Sequence, residues 1–108
     1  MRIEIFQPHQ ASGLAGSTEQ LLRFLGEDHH GFQAVSAMTD RVVNKLPAKS
    51  IEVRVPPSAG QKGAQREWIV AMARPDGTLT YLVFAAPEER FEKLKATFEA
   101  ILRSFHLG

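Results

Sequence analysis

Glu67-Trp68-Ile69-Val70-Ala71-Met72-Ala73, then Arg74-Pro75-Asp76-Gly77, then Thr78–Ala86, is the stretch that decides the fold. Two strongly apolar runs flank a turn sequence, which is the pattern of a β-hairpin. A two-residue turn at Asp76-Gly77 sets Met72 opposite Tyr81, Val70 opposite Val83 and Trp68 opposite Ala85. Ile69 then opposes Phe84, and Ala71 opposes Leu82, on the other face. A loop widened by Pro75 slips this pairing by one residue and exchanges the faces. In both cases the two faces are apolar, so these strands are expected to be central and covered on both sides.

Directly after the hairpin, Pro87-Glu88-Glu89 opens a helix whose apolar residues are Phe91, Leu94, Phe98, Ile101, Leu102 and Phe105. Glu88 and Glu89 at its start and Arg103 at its end match the helix dipole. Upstream, residues 2–7 alternate as a strand, with Ile3 and Ile5 on its covered side, and Pro8 ends it. Ala11–Gly16 reads as a loop. Ser17 with Gln20 three residues on makes a capping-box pattern. Leu21, Leu22, Phe24 and Leu25 form a short apolar stripe, and Gly26 reads as the stop.

Phe32–Thr39 reads as a strand that Arg41–Lys45 continue after a bend near Asp40. Leu46-Pro47-Ala48 reads as a turn. In residues 50–55 Ile51, Val53 and Val55 face one way and Ser50, Glu52 and Arg54 the other, a strand with one wet side. Pro56-Pro57 stops it, and Ser58–Gly63 is loop. The expected order is β-α-β-β-β-β-α: an α+β fold with a mostly antiparallel sheet of about five strands and two packed helices.

The 108 residues make one domain. A chain that begins in mid-strand reads as a domain excised from a longer protein. Thirteen basic against twelve acidic residues give a formal charge of +1, without the positive excess that nucleic acid or an anionic membrane surface requires. With no cysteine, disulfides and thiolate metal sites are excluded. No apolar run has the length of a membrane span.

Residues that carry chemistry are few. His29-His30, after Glu27-Asp28, is the one metal-flavoured cluster. Adjacent histidines diverge and lack the i,i+4 spacing of a helical zinc pair. A helix C-terminus that welcomes positive charge accounts for them more simply. His9 and His106 fall near the ends of elements. No serine lies in a nucleophile-elbow context, and among the carboxylates Glu67, at the start of an apolar strand, is the best placed to be partly covered. Gly13-Leu14-Ala15-Gly16-Ser17-Thr18 has the look of a phosphate loop before a helix. Gly16, however, stands where the Walker pattern needs lysine. Trp68 and Tyr81 would make an aromatic ligand platform if they were not core.

From Phe32 to Phe105 the chain resembles PsbP-like domains. It is similar in particular to the accessory domain C-terminal to the catalytic domain of bacterial HtpX-like zinc metallopeptidases. The resemblance rests on Leu46-Pro47-Ala48, the hairpin with Trp68 and Tyr81-Leu82-Val83-Phe84, and the ending Phe91, Phe98, Ile101-Leu102-Arg103-Ser104-Phe105. It implies a helix-covered sheet in the periplasm or another extracytoplasmic compartment of a bacterium, serving a protease in the same chain or beside it. The HExxH motif is missing here, so the resemblance assigns no catalytic residue, zinc or other cofactor to this chain. The expected function is a non-catalytic accessory domain that binds protein or peptide. Its contacts are expected at Pro57–Gly63 and Pro75–Gly77, with Trp68, Tyr81, Pro75 and Asp76 the named candidates. The alternative is a small-molecule or lipid carrier with a pocket lined by Phe84, Phe91 and Phe98. No nucleic acid and no membrane insertion are expected, and exposed strand edges allow a dimer.

Overall fold

A computed structural model describes residues 2–7, 13–28, 32–57 and 63–105. The elements run β1 (Arg2–Phe6), α1 (Gly13–Asp28), β2 (Gln33–Ala34), β3 (Thr39–Val43), β4 (Leu46–Val55), β5 (Gln65–Ala73), β6 (Leu79–Pro87) and α2 (Glu88–Arg103). All strand pairs are antiparallel. The sheet has six strands in the order β1-β6-β5-β4-β2, and β3 also pairs with β4. The α+β class holds. The sixth strand arises because Phe32–Thr39 and its continuation form two separate pairings with β4. One is Ala34 opposite Val53, and the other is Arg41 opposite Ala48.

The hairpin register is the slipped one. Trp68 opposes Phe84, Val70 opposes Leu82 and Met72 opposes Thr80; on the other face Ile69 opposes Val83 and Ala71 opposes Tyr81. The loop is three residues long. Gly77 N–H donates to the Arg74 carbonyl at 3.1 Å, Arg74 N–H donates to the Thr78 carbonyl at 2.9 Å, and Gly77 has φ +89°. That is a turn closed by a left-handed glycine, the usual three-residue hairpin. Pro75 takes a central turn position whose fixed φ it suits, and the extra residue shifts the pairing.

Two cores result, one on each face. Trp68, Val70, Met72, Leu82 and Phe84 pack with Val43 and Ala48 beneath Phe91 and Leu102 of α2. Ile51, Val53, Ile69, Tyr81 and Val83 pack beneath Leu21 and Leu25 of α1. Phe91 is fully buried, and burial of one such side chain is worth about 2–3 kcal/mol. Phe98, Ile101 and Phe105 are partly buried against the same core. Pro87 caps α2 without a side-chain bond, and the Ala64 carbonyl accepts the Glu88 N–H at 3.1 Å instead.

Four local expectations are corrected. The turn lies not at Leu46-Pro47-Ala48 but at Asn44-Lys45, whose φ values of 50° and 70° mark a two-residue hairpin turn. Pro47 therefore stands inside β4, opposite Val42 and before the pairing of β4 with β5 begins at Ala48. A residue there has no ladder bond to give on the β5 side, so proline is tolerated. Second, α1 begins at Gly13, so Ser17 is a buried helix residue rather than a cap. Third, Gly26 continues the helix. A Cβ at Gly26 would meet the Phe32 ring at 3.5 Å, an ordinary contact, so this glycine packs beside Phe32 and does not end the helix. Ile3 and Ile5, expected on a covered side, are exposed, because they stand on the α2 face of the edge strand. That helix covers β5 and β6.

Candidate functional site

Because α2 lies over β5 and β6 and, among the described residues, covers β3 and β4 only at Val43 and Ala48, the rest of that face stays open beside it. There a cleft of about 170 Å³ forms, lined by Ser36, Thr39, Arg41, Ser50, Ile51, Glu52, Trp68, Lys95 and Glu99. Strand alternation delivers the polar members. Thr39 and Arg41 of β3 stand opposite Ser50 and Ala48 of β4, and Glu52 stands opposite Trp68 of β5. The side expected to be wet in residues 50–55 is thus the floor and wall of the cleft. Lys95 and Glu99 come from successive turns of α2, four residues apart on one helix face.

Two ion pairs cross from helix to sheet. Arg41 Nη2 donates to Glu99 Oε2 at 2.7 Å, with both side chains 30% exposed. Lys95 Nζ pairs with Glu52 Oε1. The Arg41 guanidinium also lies over the Trp68 ring, 4.8 Å from its centroid, a cation–π contact that fixes its plane. Ser50 is 4% exposed and lines the cleft. The side chains of Arg41, Lys95, Glu52 and Glu99 sum to zero charge while offering donors and acceptors in alternation. A neutral, hydrogen-bonding cleft of this kind suits a ligand that is itself both donor and acceptor, such as an extended peptide backbone.

A second charged group lies on the same face. Arg54 Nε and Arg66 Nη2 donate to the two oxygens of Glu88, at 3.0 and 2.9 Å. The bond from Arg54, with the charges of both arginines, holds the Glu88 carboxyl below its ordinary range against the opposing effect of desolvation. Arg66 Nε is buried with no hydrogen-bond partner among the described residues.

Of the residues singled out in the sequence, Trp68 and Tyr81 are buried, at 2% and 3% exposure, and lie on opposite faces. They form no joint platform, because the slipped register separates them. Trp68 supplies the floor of the cleft, and the Tyr81 hydroxyl donates to Glu4 Oε2 at 2.6 Å. Pro75 and Asp76 are exposed at the hairpin tip, where Asp76 Oδ1 accepts from both the N–H and the hydroxyl of Thr78. Glu67 is covered, at 8% exposure. His29 and His30 lie outside the described residues. The Gly13–Thr18 stretch is the start of α1 itself and not a loop before it. Arg74 lines the recess there but turns its guanidinium to Thr80 Oγ1 at 3.2 Å. The carrier pocket is filled by its own lining. Phe98 packs on Phe84 and Phe91 with ring centroids 5.0 and 5.8 Å apart.

Sequence reasoning missed Arg41, Glu52, Lys95 and Glu99. The i,i+4 spacing of Lys95 and Glu99 was visible, but their partners are 43 and 58 residues away in sequence.

No protein-family model and no curated protein sequence matches the chain. Among solved structures it is similar to the solution structure of cyanobacterial PsbP (CyanoP) from Synechocystis sp. PCC 6803. The TM-score is 0.70 at 12% identity, over 98% of this chain and 65% of that one. The chain thus spans a little under two thirds of that protein's structure. At this identity the likeness is one of fold, and the fold of this chain is the PsbP-like α+β fold.

Proposed function

We propose that this is a non-catalytic accessory domain that binds an extended segment of protein in the cleft over Trp68, in the service of a bacterial zinc metallopeptidase. The observation that carries the binding reading is the cleft itself. It is an open hollow on the sheet where two cations, two carboxylates and the Ser50 side chain converge. The PsbP-like fold and the filled aromatic core support a binding module over a carrier. The link to a peptidase and the place in the cell envelope rest on the resemblance of the closing hairpin and helix. No helix among the described residues is long and apolar enough to cross a membrane.

The test is a peptide array of varied extended sequences, probed with the labelled domain and with its Arg41→Ala and Ser50→Val variants. The expected result is a subset of peptides bound by the wild type and lost by both variants. Binding that both variants keep places the contact elsewhere, and cleavage of any array peptide contradicts the non-catalytic reading.

A further inference from the structure

The edge strand β1 carries an apolar surface that the fold leaves uncovered. Ile3 is 47% exposed and Ile5 63%, both on the α2 face, opposite Leu82 and Thr80. On the α1 face Phe24 is 51% exposed and packs on Phe6, with ring centroids 5.7 Å apart. These side chains, with Glu4 and Tyr81, line a groove of about 580 Å³. β1 pairs with β6 on one side, and among the described residues no strand pairs with its other side. An edge strand bearing exposed isoleucines is a template for another strand.

The charges of β1 say which strand fits. Arg2 and Glu4 stand on the α1 face, opposite Val83 and Tyr81, with Ile3 between them, and within one chain they approach to 3.4 Å while both stay exposed enough to meet a second copy. Consider a second β1, antiparallel, related by a twofold axis normal to the sheet through Ile3. Arg2 then stands opposite Glu4 of the other copy, twice, and Ile3 stands against Ile3. An axis through Glu4 instead sets Glu4 against Glu4, which like-charge repulsion disfavours. An axis normal to the sheet keeps each side chain on its own face. Ile3 therefore meets Ile3 on the α2 face, while Phe6 stands three residues from the axis on each strand and stays apart from its counterpart. The opposite edge, β3, lacks this complementarity: an axis through Asp40 or Arg41 sets like charge against like.

We propose that the domain forms a twofold dimer through β1, with the two sheets joined at Ile3 and the register set by two Arg2–Glu4 pairs. Because α2 lies on the same side in both copies, the two Trp68 clefts open toward one side at the far edges. The dimer therefore presents its partner with two sites at once.

Sedimentation velocity of the whole chain over a concentration series tests this. The wild type is expected to show a reversible monomer–dimer equilibrium. Ile3→Lys, at an exposed position that leaves the fold intact by circular dichroism, abolishes the dimer. Arg2→Glu and Glu4→Arg each weaken association by about tenfold, since each turns two attractive cross-strand pairs into repulsive ones. The combined reversal Arg2→Glu/Glu4→Arg restores it. Tyr81→Phe, which removes the hydroxyl that donates to Glu4, leaves it unchanged. A wild type that stays monomeric throughout, a dimer indifferent to Ile3→Lys, or a combined reversal that fails to rescue overturns the proposal. None of these outcomes touches the peptide array, so the two readings fail separately.

Discussion

Asp76 accepts two hydrogen bonds from Thr78, one from its backbone N–H at 3.0 Å and one from its hydroxyl at 2.6 Å. This local bond holds the three-residue loop that decides which face each side chain of β5 and β6 takes. With Ala73 opposite Leu79, Trp68 and Phe84 share one core, at a ring separation of 5.4 Å, while Tyr81 enters the other. A loop one residue shorter would send Trp68 across from Ala85, and the cleft would lose the pairing that places Phe84 beside its floor.

Asp76→Ala is expected to lower the melting temperature, with pH dependence as its signature. The bonds from Thr78 hold the Asp76 carboxyl below its ordinary value of 3.8. A depressed folded-state value means the stabilisation is complete above the unfolded value and is lost as pH falls through the folded one. Melting curves of wild type and variant should therefore differ near neutral pH and converge in strong acid. A gap that persists at low pH contradicts the assignment.

Gly77 has φ +89° and open space around its Cα hydrogens. The cost of a side chain there is backbone strain alone. Gly77→Ala should destabilise by about 1 kcal/mol, and Gly77→Asn by less, since asparagine tolerates the left-handed region. Urea denaturation with an unchanged m-value checks both.

Phe91 and Phe24 look equivalent in sequence, as aromatic members of helical apolar stripes, but Phe91 is fully buried and Phe24 is 51% exposed. Phe91→Ala should cost about 3–5 kcal/mol, a large share of the stability of a domain this size. Phe24→Ala should cost under about 1 kcal/mol. Equal losses in chemical denaturation would contradict the placement of the two helices.

Glu88 ties the start of α2 to Arg54 and Arg66. Its carboxyl is held below its ordinary value of 4.5, chiefly by the hydrogen bond from Arg54. Its contribution is therefore present above that value and disappears as pH falls through the lowered one. Glu88→Gln should lower the melting temperature at neutral pH, and the difference should close under acid. Added salt should narrow it as well, because the pair is partly exposed.

The sequence reading succeeded where one run of residues carries its own signal. The apolar runs of β5 and β6, the stripe of α2 and the antiparallel class all follow from periodicity. It failed where geometry depends on a single residue or on distant partners. Pro75 gave both a two- and a three-residue loop a reason, and the backbone bonds of Arg74 and Gly77 with the Thr78–Asp76 bonds mark the longer one. Asn44-Lys45 lacks the glycine that usually announces a two-residue hairpin turn, so Pro47 drew the turn toward itself. The cleft was least legible. Arg41, Glu52, Lys95 and Glu99 are ordinary surface charges until the sheet brings β3 and β4 beside α2.

The most direct measurement is an amide chemical-shift map of the isotopically labelled domain during titration with a peptide selected from the array. The expected shifts fall on Arg41, Ser50, Glu52, Lys95 and the indole N–H of Trp68, the protein's one tryptophan. Shifts confined to the Pro75–Gly77 tip, with the cleft residues unmoved, would contradict the assignment of this cleft as the binding site.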